Sequence, residues 1–102
     1  MGKPHTTETD RFFDAILLLR TKEDCHRFFT DICTIKEIRD MSQRLHVAEM
    51  LDNGSNYIEI QSETGSSTTT ISRVSKCLSY GMDGYRLIID RLKEQDAKED
   101  LE

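Results

Sequence analysis

Tryptophan is absent from this sequence of 102 residues, and proline occurs only once, at Pro4. Beyond that position no proline interrupts a helix by removing an amide donor or clashing with the preceding turn. No stretch approaches the ~18 uninterrupted apolar residues that a membrane span requires. The opening MGKPHTTETD also lacks the apolar run of a secretory signal. The chain is therefore expected to be cytoplasmic, with no membrane partner. Cysteine is sparse: Cys25, Cys33 and Cys77 are odd in number and lack paired spacing. They read as reduced, half-buried helix residues rather than a disulfide framework. A zinc site would need Cys25, His26, Cys33 and a fourth ligand, and neither C-x-x-C nor H-x-x-x-H spacing is present. No metal is expected. Ser/His/Asp order, paired-carboxylate spacing, Gly-rich phosphate loops and cofactor motifs are missing as well, so no catalytic residue, no cofactor and no enzyme are expected.

Hydrophobic residues make up 36% of the chain. A chain of this length forms one domain and buries roughly two-thirds of its unfolded surface. A thin core shared between copies of a homo-oligomer is one solution. Fourteen basic residues face nineteen acidic ones, a formal charge of −5, which argues against a protein that simply coats nucleic acid or anionic lipid.

Glycine is confined to Gly2, Gly54, Gly65, Gly81 and Gly84. The last four fall where apolar periodic runs end or begin, as punctuation between helices. Six helices are predicted: 10–20, with Phe12, Phe13, Ile16, Leu17 and Leu19 as a broad apolar face; a second after an N-cap at Thr21; a long third opened by the capping box Thr34–Glu37 and closed by Asn53–Gly54; then 56–63, 67–79 and 84–92. The fold class is all-α. Residues 1–9 are expected to be a flexible lead, 10–92 the helical domain, and 93–102, seven-tenths charged, a frayed tail.

Residues 56–79 stand apart. Two helices meet at a tight turn containing Gly65, which is the helix-turn-helix plan. Its packing needs an apolar residue five before the glycine, here Ile60, and two more facing back from the second helix, here Ile71 and Val74. That spacing leaves Ser66, Ser67, Thr68, Thr69, Thr70, Ser72, Arg73 and Lys76 outward. Six of the seven residues from Ser66 to Ser72 are Ser or Thr, a poor choice for helix stability alone. At a helix N-terminus such hydroxyls, with free amides and the positive dipole end, suit phosphate, and threonine can touch base edges in the major groove. Residues 66–80 carry Arg73 and Lys76 and no acid, a local +2, whereas the tail carries −3. The expected activity is sequence-specific recognition of double-stranded DNA, with those eight residues as the contact set. The acidic balance keeps a second possibility open, a helical protein-interaction module that does not bind DNA. His46, mid-helix beside Leu45 and Val47, reads as a core-edge or interface histidine rather than a ligand or base.

The stretch Glu59 to Arg73, above all Thr69-Thr70-Ile71-Ser72-Arg73 after Gly65, resembles the helix-turn-helix of the Trp repressor superfamily. The similarity extends back over Val47-Ala48-Glu49-Met50-Leu51, and to Phe28-Phe29-Thr30-Asp31-Ile32-Cys33-Thr34, a segment typical of Trp repressor-like proteins of unassigned ligand. The resemblance covers roughly residues 10–92. It implies an intertwined homodimer, a transcriptional regulator of the repressor type, with recognition helices in successive major grooves. In the tryptophan-binding member, two arginines and a glycine frame the indole. Arg73 matches one arginine, Val74 stands at the glycine, and the second arginine aligns with Gln43, with Arg44 beside it. A valine fills space that the ring needs, and a lost guanidinium removes a charge-assisted partner of the carboxylate. Tryptophan as corepressor is disfavoured on both counts, and the ligand, if there is one, stays unidentified.

Overall fold

A computed structural model describes residues 6–101, and every regular element among them is an α-helix: α1 (Thr7–Ile16), α2 (Lys22–Ile32), α3 (Ile35–Asp52), α4 (Tyr57–Thr64), α5 (Thr68–Tyr80) and α6 (Gly84–Leu101). The chain divides within α3 into two compact units, one ending at Ile38 and the other starting at Arg39.

In the first unit, Thr6 caps α1 by accepting the Thr9 amide at 3.0 Å, with Glu8 and Asp10 in the dipole-favoured first turn. The helix therefore starts at Thr7, so residues 7–9 are helical rather than part of a flexible lead; residues 1–5, including His5, lie outside the described residues. It also ends earlier than its apolar run predicts, because α2 claims the residues that follow. Thr21 accepts the Asp24 amide while the Asp24 carboxylate accepts the Arg20 amide, both at 3.0 Å. The Arg20 amide, then the Thr21 hydroxyl, hold the Asp24 carboxyl below its ordinary value. The Leu18 and Leu19 amides tighten into i→i+3 bonds before that box. Phe12 of α1 meets Phe28 of α2 with ring centroids 6.2 Å apart, and Phe28 lies edge-on to Phe29 at 5.4 Å. No residue of α1 or α2 is fully buried. Leu17, Leu18 and Ile35 are more than two-thirds exposed, at 81%, 71% and 72%.

The predicted capping box opens α3: Thr34 and Glu37 exchange bonds of 2.8 and 3.0 Å. At the other end the Ser55 amide reaches the Met50 carbonyl and the Gly54 amide the Leu51 carbonyl, a Schellman turn with Gly54 at φ +87°. The core of the second unit is Val47 and Ala48 of α3, Ile60 of α4, Ile71 and Val74 of α5, and Ile89 of α6, all at most 2% exposed. Leu45, Met50, Leu51, Leu78 and Tyr85 close around it. Each Val or Ile buried this way contributes about 1.5–3 kcal/mol. The corner between α5 and α6 is steric: a Cβ on Gly81 would lie 2.4 Å from the Cys77 carbonyl oxygen.

The charged tail is helical to Leu101 instead of frayed. Most of its residues are good helix formers and none is Gly or Pro, and Lys93 is tied down. Asp52, at the C-terminal end of α3, accepts from both Arg86 and Lys93 of α6, and its side chain is only 8% exposed. A carboxylate is unfavourable at a helix C-terminus, and these two cations offset that. They hold the Asp52 carboxyl below its ordinary value, with the Lys93 hydrogen bond the larger cause and Arg86 the next. Because the group titrates lower folded than unfolded, its contribution is complete above the unfolded value of about 3.9 and is lost as pH falls through the folded one. Asp52→Asn is expected to lower Tm at neutral pH, with wild type and variant converging below about pH 4, as thermal melts across that range will show.

Candidate nucleic-acid interface

α4, the turn 65–67 and α5 form the predicted helix-turn-helix. Ile60, Ile71 and Val74 meet in the core as their spacing requires. Asn56 and Glu59 cap α4 reciprocally, at 2.9 and 3.1 Å. Gly65 ends it at φ +73°, a left-handed conformation that costs a side chain-bearing residue about 1–2 kcal/mol. The turn is then laced to its surroundings. The Thr64 hydroxyl donates to the Ile60 carbonyl at 2.7 Å and accepts the Ser66 amide at 3.1 Å, and Gln43 of α3 donates its side-chain amide to the Thr64 carbonyl at 2.8 Å. Gln43 thus fixes the turn to α3.

Seven of the eight expected contact residues lie on or beside the first turns of α5. Ser67 is the N-cap: its hydroxyl accepts the Thr70 amide and donates to the Thr70 hydroxyl, both at 3.2 Å. Thr68, Thr69, Ser72, Arg73 and Lys76 are exposed, and Thr70 is half-buried. The first turn of α5 contains no acidic residue, and neither Arg73 nor Lys76 is in an ion pair among the described residues. The eighth residue is a correction. Ser66 is 5% exposed and its hydroxyl has no protein partner. As the residue between the left-handed Gly65 and the N-cap, it points inward, where an apolar side chain would serve. A residue the sequence reading missed is Tyr57, whose phenolic oxygen lies 3.5 Å from the Ser72 hydroxyl. It stands outside the Ser/Thr run, and no spacing rule singled it out.

A pocket of about 220 Å³ opens behind this face, lined by Arg44, Thr70, Arg73, Val74, Cys77 and Tyr85. The arginine that joins Arg73 there is Arg44, not the position assigned to Gln43, whose amide is engaged with the turn. A second guanidinium is therefore present, contrary to the expectation from Gln43, while Val74 remains in the wall. Burial, and then Cys77, push the Tyr85 phenol above its ordinary value against the opposing pull of Arg44 and Arg73, so it stays a neutral donor at physiological pH. An apolar groove of Leu45, Gly81, Met82, Gly84 and Ile88 adjoins the pocket, sharing Cys77 and Tyr85.

The remaining candidates are plain. His46 is half-exposed, with Nε2 at 3.6 Å from Glu63 Oε1. All three cysteines are free; only Cys33 is half-buried, and it caps α2, while Cys25 and Cys77 are exposed, contrary to the half-buried expectation. His26 is also exposed. No helix among the described residues is long and apolar enough to cross a membrane.

An all-α domain whose exposed, acid-free helix follows a glycine turn is of the helix-turn-helix class. The family model of the Trp repressor protein matches residues 7–93, and the chain belongs to the Trp repressor family, whose members are DNA-binding regulators. The chain is 52% identical over 91 residues to the uncharacterized protein YerC of Bacillus subtilis (strain 168), covering 89% of this chain and 88% of that one. Two crystal structures superpose closely. A Trp repressor candidate from Staphylococcus aureus has a TM-score of 0.85 at 47% identity, over 87% of this chain and 89% of that one. A TrpR-like protein from Eubacterium eligens ATCC 27750 has a TM-score of 0.84 at 45% identity, over 86% and 91%.

Burial of the Ser66 hydroxyl without a protein partner generates a prediction. Ser66→Ala is expected to raise stability by about 1 kcal/mol in a denaturant titration, and to leave any DNA affinity unchanged.

Proposed function

We propose that this protein is a sequence-specific DNA-binding transcriptional regulator, a repressor, that acts as a homodimer with α5 in the major groove. The observation that carries this is the outward face of α5, where Thr68, Thr69, Arg73 and Lys76 are exposed, without ion-pair partners and free of neighbouring acid, on a helix held from behind by Ile60, Ile71 and Val74. Arg73 and Lys76 supply phosphate contacts that set register, and the threonines and Ser72 touch base edges. Ser67 offers its backbone amide at the helix start. The apolar side chains left exposed just after α1 and at the start of α3, Leu17, Leu18 and Ile35 among them, are the surface a second copy would cover. Two such heads read half-sites about one helical turn, ~34 Å, apart.

Fluorescence-anisotropy titration against duplexes enriched from the organism's own genome tests this reading. Thr69→Ala with Lys76→Ala is expected to remove specific binding and leave the sedimentation behaviour unchanged. Wild-type affinity is expected to fall with salt with a log–log slope of roughly −0.9 per phosphate neutralised. Binding unaltered by the double substitution sinks the assignment of the contact face. The absence of salt-sensitive DNA binding, together with recovery of a stoichiometric protein partner, favours the interaction-module alternative.

The pocket favours an effector-gated form of the same function. Arg44 and Arg73 supply two cations and Tyr85 a donor, so the ligand that suits it is an anion, and Val74 disfavours the indole of tryptophan. Its wall includes Thr70 and Arg73 of the reading helix, so occupancy would bias the face that meets DNA. Titration calorimetry with the amino acids is expected to give no heat with tryptophan; a tight tryptophan isotherm overturns the steric argument.

A further inference from the structure

The pocket behind α5 and the groove beside it meet at Cys77 and Tyr85, and their chemistry differs. The pocket holds two guanidiniums, Arg44 and Arg73, and no acidic side chain lines it. The groove is walled by Leu45, Met82 and Ile88 and by the bare backbone of Gly81 and Gly84, with no charged side chain of either sign. Its volume is about 560 Å³. Tyr85 stands at the junction, an apolar ring with one polar atom.

Size, charge and continuity select the occupant. At about 220 Å³ the pocket alone falls below the roughly 300–1,000 Å³ usual for small-molecule sites, and the groove brings the pair inside that range. A carboxylate meets a guanidinium through paired, charge-assisted hydrogen bonds, which fixes the head of the ligand in the pocket. Whatever extends from that head past Tyr85 enters a wall of aliphatic side chains, where an unpaired polar group would be costly. The extension is therefore apolar. A chain of methylenes is narrower than an indole, so the steric objection that Val74 raises to tryptophan does not apply to it. Leu17, Leu18 and Ile35, assigned above to a second copy, line neither cavity.

We propose that pocket and groove form one site for an amphiphilic carboxylate of the fatty-acid type, its head between Arg44 and Arg73 and its chain along Leu45, Met82 and Ile88. This rests on the anion-gated form of the function above and gives that anion a chemical class. The site draws on α3, α5 and α6 together, so an occupant joins the reading helix to the two helices packed beside it.

The test is titration calorimetry of the full chain with hexanoate, octanoate and decanoate, each below its micelle-forming concentration, and with 1-octanol as the headless control. Each methylene buried raises affinity by up to about fourfold, so octanoate is expected to bind roughly tenfold tighter than hexanoate and octanol far more weakly than octanoate. Arg44→Gln, on α3 and outside the reading face, is expected to weaken all three acids by about tenfold or more. Ile88→Gln, at a partly exposed position of α6, is expected to flatten the gain with chain length and to leave hexanoate binding in place. Equal affinity across the three acids overturns the proposal, and octanol that binds as well as octanoate does the same. A chain-length gain that survives Ile88→Gln while the sedimentation behaviour changes also overturns it, and marks the groove as a contact with a second copy. Absence of binding by every acid, and by acetate and phosphate as well, overturns the anion-gated reading itself, a result distinct from anions that bind without regard to chain length.

Discussion

Everything at the reading face depends on one apolar contact, the meeting of Ile60, Ile71 and Val74 over Val47 and Ala48. α4 is eight residues long and α5 thirteen, lengths at which an isolated helix is marginal in water. Their stability comes from this shared core, and so does the angle at which α5 is held out. A core of six fully buried apolar side chains in the second unit is small, so each one matters: truncating any of the isoleucines leaves a cavity that neighbours fill only partly. The polar lacing of the turn through Gln43, Thr64 and Gly65 then removes the remaining freedom between the two helices.

Charge is arranged on the same plan. The formal −5 belongs to the chain as a whole, but the α5 face carries cations without acid, and the anionic residues lie mainly on the helix bodies and in the second half of α6. Such a field gives little indiscriminate attraction to a polyanion and leaves affinity to the local head and to shape. Asp52, its carboxylate shielded, is committed to Arg86 and Lys93 and contributes to the scaffold rather than the face.

Much of this was legible in the residues. The boxes at Thr21–Asp24 and Thr34–Glu37, the Gly54 stop and the Gly65 turn follow from local hydrogen-bond chemistry, which needs no tertiary knowledge. Spacing alone places Ile60, Ile71 and Val74 in the core. What sequence could not supply depended on competition or on distance along the chain. α1 is short because α2 captures the Arg20 amide, and α6 is long because Lys93 reaches a carboxylate 41 residues away. The hydroxyl run predicts Ser66 on the outside, although its place beside a left-handed glycine turns it inward. A one-residue step in α3 separated the true pocket arginine, Arg44, from Gln43, and on a helix one residue is about 100° of rotation. Tyr57 was invisible because its partner lies 15 residues on.

Gly81 has a wider meaning. Any side chain there would collide with the Cys77 carbonyl, while Gly65 ends α4 in a left-handed conformation and so sets the turn that leads into α5. The approach to α5 and the exit from it are therefore set by two residues that have no side chain, and its seat by three aliphatic ones. None of those five is on the outward face, so Thr68, Thr69, Ser72 and Lys76 are free to vary without disturbing how the helix is held. Under the proposed function, a change of operator would be written at the exposed positions of α5 and would leave this scaffold intact.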